Sequence, residues 1–98
     1  KNWNKVIKAT RDIRGVGICY DGIVYMYYYF PIRLEKIPTI TVLSCGISGI
    51  GTTNELNAVV DTTRTTVDSI AFKITPKSSA ITLTNGNAYN CVVGFTLS

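Results

Sequence analysis

The chain has 98 residues, a net charge of +4 from ten Lys and Arg against six Asp and Glu, and no histidine. That length holds one domain, residues 1–98, and the missing histidine excludes a Cys/His zinc site and any Ser-His or Cys-His nucleophile pair. A hydrophobic content of 46% with only 16% charged residues is apolar for a small domain, which points to apolar faces shared between subunits.

Residues 3–10 alternate Trp3, Lys5, Ile7 and Ala9 with Asn4, Val6, Lys8 and Thr10, the period of a strand with mixed faces. Residues 11–15 read as a turn ending on Gly15. Residues 16–20 form a short strand, and Asp21-Gly22 is the strongest hairpin signal in the chain. The strand at residues 23–30 should therefore pair antiparallel with 16–20. Its alternation places Tyr25, Tyr27 and Tyr29 on one face and Met26, Tyr28 and Phe30 on the other. With both faces large and apolar, one belongs to the core and the other to a partner, so Tyr25, Tyr27 and Tyr29 are the expected subunit interface. Pro31 and Pro38 bound a charged crossing that contains Arg33, Glu35 and Lys36, after which residues 39–42 resume a β-branched strand.

Residues 44–54 are rich in glycine and small polar side chains and read as a loop, without the lysine and helix of a phosphate cradle. Residues 55–60 fit a short strand or one helical turn, 61–64 a polar turn, 65–75 a strand, 76–79 a break and 80–84 another strand. Asn85-Gly86 has type I′ character, and residues 88–97 close the chain as a core strand. The sum is all-β: an antiparallel sandwich or barrel of jelly-roll or Greek-key type, with about eight strands. Thirteen threonines agree with that reading. Its pairings are far apart in sequence, so folding should be slow for the length.

Five basic residues, Lys1, Lys5, Lys8, Arg11 and Arg14, crowd the start, but no nucleic-acid-binding motif accompanies them, and they read as solvated strand residues. No run of 18 apolar residues indicates a membrane helix. Cys19, Cys45 and Cys91 each sit among apolar residues and read as small buried hydrophobes of a reducing compartment, with a Cys19–Cys91 bridge left open. The chain does not begin with Met, which reads as a fragment or a processed product.

The phrase Phe30-Pro31-Ile32, Leu34 and Pro38-Thr39-Ile40-Thr41-Val42 resembles one found in C-terminal domains of phage tail-fibre and baseplate proteins. Leu34-Glu35 stands where those domains carry a Met-Arg pair. The closing Val92-Val93-Gly94-Phe95-Thr96-Leu97-Ser98 is similar to their last strand, without its acidic residue. The heads of lactococcal-type phage receptor-binding proteins share this size and all-β character. The resemblance implies a homotrimeric, non-enzymatic tip domain of a phage tail or baseplate, folded in the host cytoplasm, that binds saccharide of the host cell wall. It calls for no cofactor and no metal. A second reading is a trimerisation or capping module with no ligand of its own. A third, a small β-sandwich hydrolase, would need a carboxylate pair such as Asp61 and Asp68.

Saccharide binding needs an aromatic face against the C–H side of a ring and planar polar groups that bracket hydroxyls. Asp61, Arg64, Asp68, Asn87, Tyr89 and Trp3 are the candidates. Three of them have a structural alternative: Trp3 as an anchor to a stalk, Tyr89 as core, Asn87 as a turn former.

Overall fold

The computed structural model describes residues 10–97, so the expected first strand, with Trp3, lies outside the described residues. Six strands form the fold: β1 (Thr10–Tyr20), β2 (Ile23–Tyr29), β3 (Ile40–Ile47), β4 (Leu56–Val60), β5 (Ser69–Pro76) and β6 (Ala88–Leu97). Every pairing is antiparallel, and the strand order is β3-β6-β1-β2-β5-β4. The all-β class holds; the strand count is six rather than eight.

The sheet folds over on itself at the β1–β2 hairpin. Asp21 and Gly22 have φ of 55° and 76°, the two positive values that a type I′ turn requires. The hairpin ladder is short, Cys19↔Val24 and Tyr20↔Ile23, because each strand then takes another partner. β1 pairs with β6 from Thr10↔Thr96 to Ile18↔Ala88, and β2 pairs with β5 from Val24↔Ile74 to Tyr29↔Ser69. Small inward residues on β1 permit the crossing. A Cβ on Gly17 would lie 2.6 Å from Val24 Cγ1 and 2.7 Å from the Tyr25 carbonyl oxygen. The result is two three-stranded layers, β3-β6-β1 and β2-β5-β4, joined at that corner.

Between the layers lie Val24 and Met26 of β2, Ile70, Phe72 and Ile74 of β5, and Cys91, Val93, Phe95 and Leu97 of β6, all buried. Phe72 and Phe95 meet across the layers at 5.0 Å between ring centroids, and Tyr28 packs edge-on against Phe95 at 5.3 Å. The expected alternation of β2 is thus observed: Met26 and Phe30 are buried, with Tyr28 packed against them, while Tyr27 and Tyr29 face outward. At the open side the edge strands β3 and β4 approach without a ladder. The Thr53 hydroxyl accepts from the Cys45 amide at 3.1 Å and donates to the Cys45 carbonyl at 3.3 Å, and the Cys45 thiol donates to the Leu56 carbonyl at 3.5 Å.

Four sequence expectations change. Residues 11–15 are not a turn, because β6 is long enough to pair with all of them. β3 runs on through Ser44–Ile47 for the same reason, with a bulge between Val42 and Ser44. Residues 65–68 are loop rather than strand: the Thr66 hydroxyl accepts from the Asp68 and Ser69 amides, and the Thr65 hydroxyl from the Ala71 amide, which diverts those donors from a ladder. Residues 80–84 form no strand; Leu83 is buried and anchors the segment instead.

The three thiols are free. Cys91 is opposite Gly15, four residues before Cys19, which separates the two Cα atoms by about 13 Å and rules out a bridge between them. Each Sγ–H has an acceptor instead: Asn85 Oδ1 for Cys19 and the Tyr89 carbonyl for Cys91, besides the Leu56 carbonyl for Cys45.

Candidate functional site

The loop between β4 and β5 is built to hold one side chain. Asp61 donates its amide to the Ala71 carbonyl at 2.8 Å and accepts from the Arg64 and Thr65 amides through its own carbonyl. Its carboxylate turns back into the loop: Oδ1 accepts from the Thr63 hydroxyl at 2.6 Å and the Thr63 amide at 3.1 Å. Asp61 is buried, and Thr65 beneath it is buried as well. The hydrogen bond from the Thr63 hydroxyl holds the Asp61 carboxyl below the usual carboxylate range, against the opposing effect of burial, with smaller help from the Thr63 amide, Lys73 and Arg64. A carboxyl kept ionised in this way is a poor general acid.

Arg64 projects from this loop across the outer face of β2. Its guanidinium carbon lies 4.8 Å from the centroid of the Tyr25 ring, Nη1 donates to the Tyr27 hydroxyl at 3.3 Å, and Nε is 3.7 Å from Asp61 Oδ2. The Tyr27 hydroxyl, followed by the charge environment of both tyrosines, raises the Arg64 pKa further above its ordinary value. The guanidinium is therefore fixed in plane and position while 55% of its side chain stays exposed. Register fills in the surroundings. Tyr25 pairs with Lys73 of β5 and Lys73 with Val59 of β4; Tyr27 pairs with Ala71, and Tyr29 with Ser69. Tyr29, 70% exposed, continues the row beyond Tyr27. The surface is an open platform of tyrosine rings with one clamped guanidinium.

The expected site residues separate into two groups. Asp61 and Arg64 are together, and the structure adds Tyr25 and Tyr27, which sequence reasoning had assigned to a subunit interface. Asp68 is near the same end of β2, since its carbonyl accepts from the Phe30 amide, but its carboxylate pairs with Arg33 at 3.7 Å rather than facing Asp61's partner. Asn87 and Tyr89 are at the opposite end of β2, beside the β1–β2 hairpin. The Asn87 carbonyl accepts from the Cys19 amide, and the Tyr89 hydroxyl accepts from the Thr84 amide at 2.8 Å, so both brace the 84–87 turn. The contact of Arg64 with Tyr27 spans 37 residues of sequence and that with Tyr25 slightly more, and the only local sign was the outward period of the tyrosines.

Among the described residues no three Cys, Asp or Glu side chains converge as metal ligands. Comparison with protein-family models, with curated proteins and with solved structures finds no match.

Proposed function

We propose that the chain is a non-enzymatic saccharide-binding head, of the kind the tail-fibre and baseplate resemblance implies, and that the Tyr25–Tyr27–Tyr29 face with Arg64 is its contact surface. The observation that supports this most is the clamped guanidinium. Arg64 is held by a ring face, a phenol and a carboxylate, so little side-chain entropy is lost when its remaining N–H groups bracket neighbouring hydroxyls. Tyr29 beside it offers an open ring for the C–H face of a sugar. This assignment gives the outward tyrosines to ligand rather than to a neighbouring subunit. The proposed homotrimer then draws on other uncovered apolar side chains, Ile18 and Tyr20 on β1 among them. Weak sites repeated around a threefold axis gain avidity from simultaneous engagement.

The test is titration of host cell-wall polysaccharide into the chain, followed by tyrosine emission. Arg64→Ala and Tyr29→Ala should each weaken binding about tenfold or more, as expected for removal of a bidentate or stacking contact, with melting temperature preserved. Arg64→Lys should fall between, because an ammonium cannot bracket two hydroxyls. Full binding by both alanine variants would overturn the assignment and favour the reading as a structural fibre module.

A further inference from the structure

On the other layer, the outer face of β1, β6 and β3 carries an open groove of about 800 Å³. Its rim on one side is the glycine-rich hairpin after β3. Ile47 and Gly51 bridge, the Ile50 and Gly51 amides donate to the Ile47 carbonyl, and Gly49 takes φ of 78°. The hairpin is tied to β6 by the Ser48 amide, which donates to the Asn90 carbonyl at 2.9 Å. Gly46 leaves no side chain in the groove; a Cβ there would meet Val92 Cγ1 at 3.4 Å and the Gly51 carbonyl at 3.5 Å. Register sets Arg14 beside Val92 and Val16 beside Asn90 on the same outward face.

The lining is amphipathic in a particular way. Val16, Val92 and Ile50 supply an apolar floor, while Arg14, Ser48 and Asn90 supply a guanidinium, a hydroxyl and an amide. None of those three polar side chains makes a hydrogen bond or ion pair within the described chain. The groove has one positive charge and no carboxylate in its lining. The size is within the roughly 300–1,000 Å³ of sites that take small ligands. We propose that this groove is a second binding site, separate from the Arg64 platform, and that it takes a short saccharide bearing an acidic substituent, with the acid on Arg14 and ring hydroxyls on Asn90 and Ser48. Val16, Val92 and Ile50 stand in place of an aromatic ring against the C–H faces, the free amide and hydroxyl take the neutral ring, and the guanidinium, the one charged group in the lining, selects for an anion.

The experiment is an amide-resolved NMR titration of the ¹⁵N-labelled chain with three probes: trigalacturonate, glucose 6-phosphate and neutral maltotriose. Trigalacturonate or glucose 6-phosphate should shift the amides of Ser48, Gly49, Gly51 and Asn90, and whichever anion binds tighter identifies carboxylate or phosphate as the substituent. Maltotriose should bind about tenfold more weakly at these amides, for want of the charge-assisted contact. Arg14→Gln, an exposed and conservative change, should remove the preference for the anions while any shifts at Tyr25, Tyr27 and Tyr29 persist. Equal response to maltotriose, an unchanged preference in Arg14→Gln, or shifts confined to the tyrosine platform would each overturn the proposal. Because the platform is read out by other amides in the same spectra, its failure and that of the groove are told apart.

Discussion

Thr65 shows how much one hydroxyl can organise. It is buried, donates to the Asp61 carbonyl at 2.9 Å and accepts from the Ala71 amide at 3.1 Å, so it fastens the Arg64 loop to β5. Thr65→Val keeps the shape and removes both bonds, leaving a buried N–H without an acceptor; the expected loss is about 1–3 kcal/mol. Thr65→Ser should stay within a few tenths of a kcal/mol of the parent in chemical denaturation, and a loss as large as that of the valine variant would show that packing, not hydrogen bonding, is the cause. Protonation acts at the same loop. The Asp61 pKa is lowered in the folded chain, so the unfolded chain takes up its proton first as pH falls. Stability from this group is present above its ordinary 3.8 and is lost as pH drops through the folded value, and Asp61→Asn should flatten the acid limb of melting temperature against pH. At the other extreme, burial raises the Cys45 and Cys91 thiols above 9.0, against weaker opposition from Lys77 and from the Gly17 backbone respectively. Above pH 9 the unfolded chain loses those protons before the folded one, and stability falls with rising pH. Replacing both thiols with alanine should make that alkaline limb shallower.

At the scale of elements, the β1–β2 corner decides the architecture. It is held from outside by the 84–87 turn: Asn85 Oδ1 accepts from the Gly22 amide at 2.8 Å, the Gly86 amide donates to the Cys19 carbonyl, and the Cys19 amide donates to the Asn87 carbonyl. Asn85-Gly86 is a turn, with Gly86 at φ of 87°, but Asn85 lacks the positive φ that the expected type I′ character requires, and the turn docks onto another hairpin instead of closing one of its own. Asn85→Ala removes an exposed acceptor and should cost about 0.5–1.5 kcal/mol, with hydrogen exchange accelerated at Gly22 ahead of the rest of the chain. Gly17→Val is harsher. Its Cβ would press on backbone at Tyr25, so relief requires the strands to separate, and a cost at or above the roughly 1–3 kcal/mol of core overpacking is expected. A Gly17→Val protein with unchanged denaturation midpoint would show that the crossing is looser than its geometry indicates.

For the whole molecule, β1 and β6 pair Thr10 with Thr96, near the two ends of the described chain. That closure is late in any folding sequence built from local hairpins, and refolding on the millisecond-to-second scale of non-local β proteins is expected, read by stopped-flow tyrosine emission. Sedimentation should return the mass of three chains if the proposed trimer is right; a single-chain mass at micromolar concentration would leave the head monomeric.

Alternation and turn chemistry carried the all-β class, the type I′ hairpin at Asp21-Gly22, the final strand at residues 88–97 and the inward row of Met26, Tyr28 and Phe30. These are local properties: a period of two and a positive φ are written in neighbouring residues. Strand limits and partners were not local. Residues 11–15 and 44–47 became strand because β6 was there to accept them, and residues 80–84 did not, being held by the buried Leu83 and the 84–87 turn docked on the β1–β2 hairpin. The candidate site followed the same division. Arg64 and Asp61 were legible as a polar pair in a turn, and the tyrosines as an outward row, but only the pairing of β2 with β5 brings the row under the guanidinium. Hydrogen bonding between strands distant in the chain determines which side chains share a face, and that choice is made by the competition among all edges at once rather than by any segment alone.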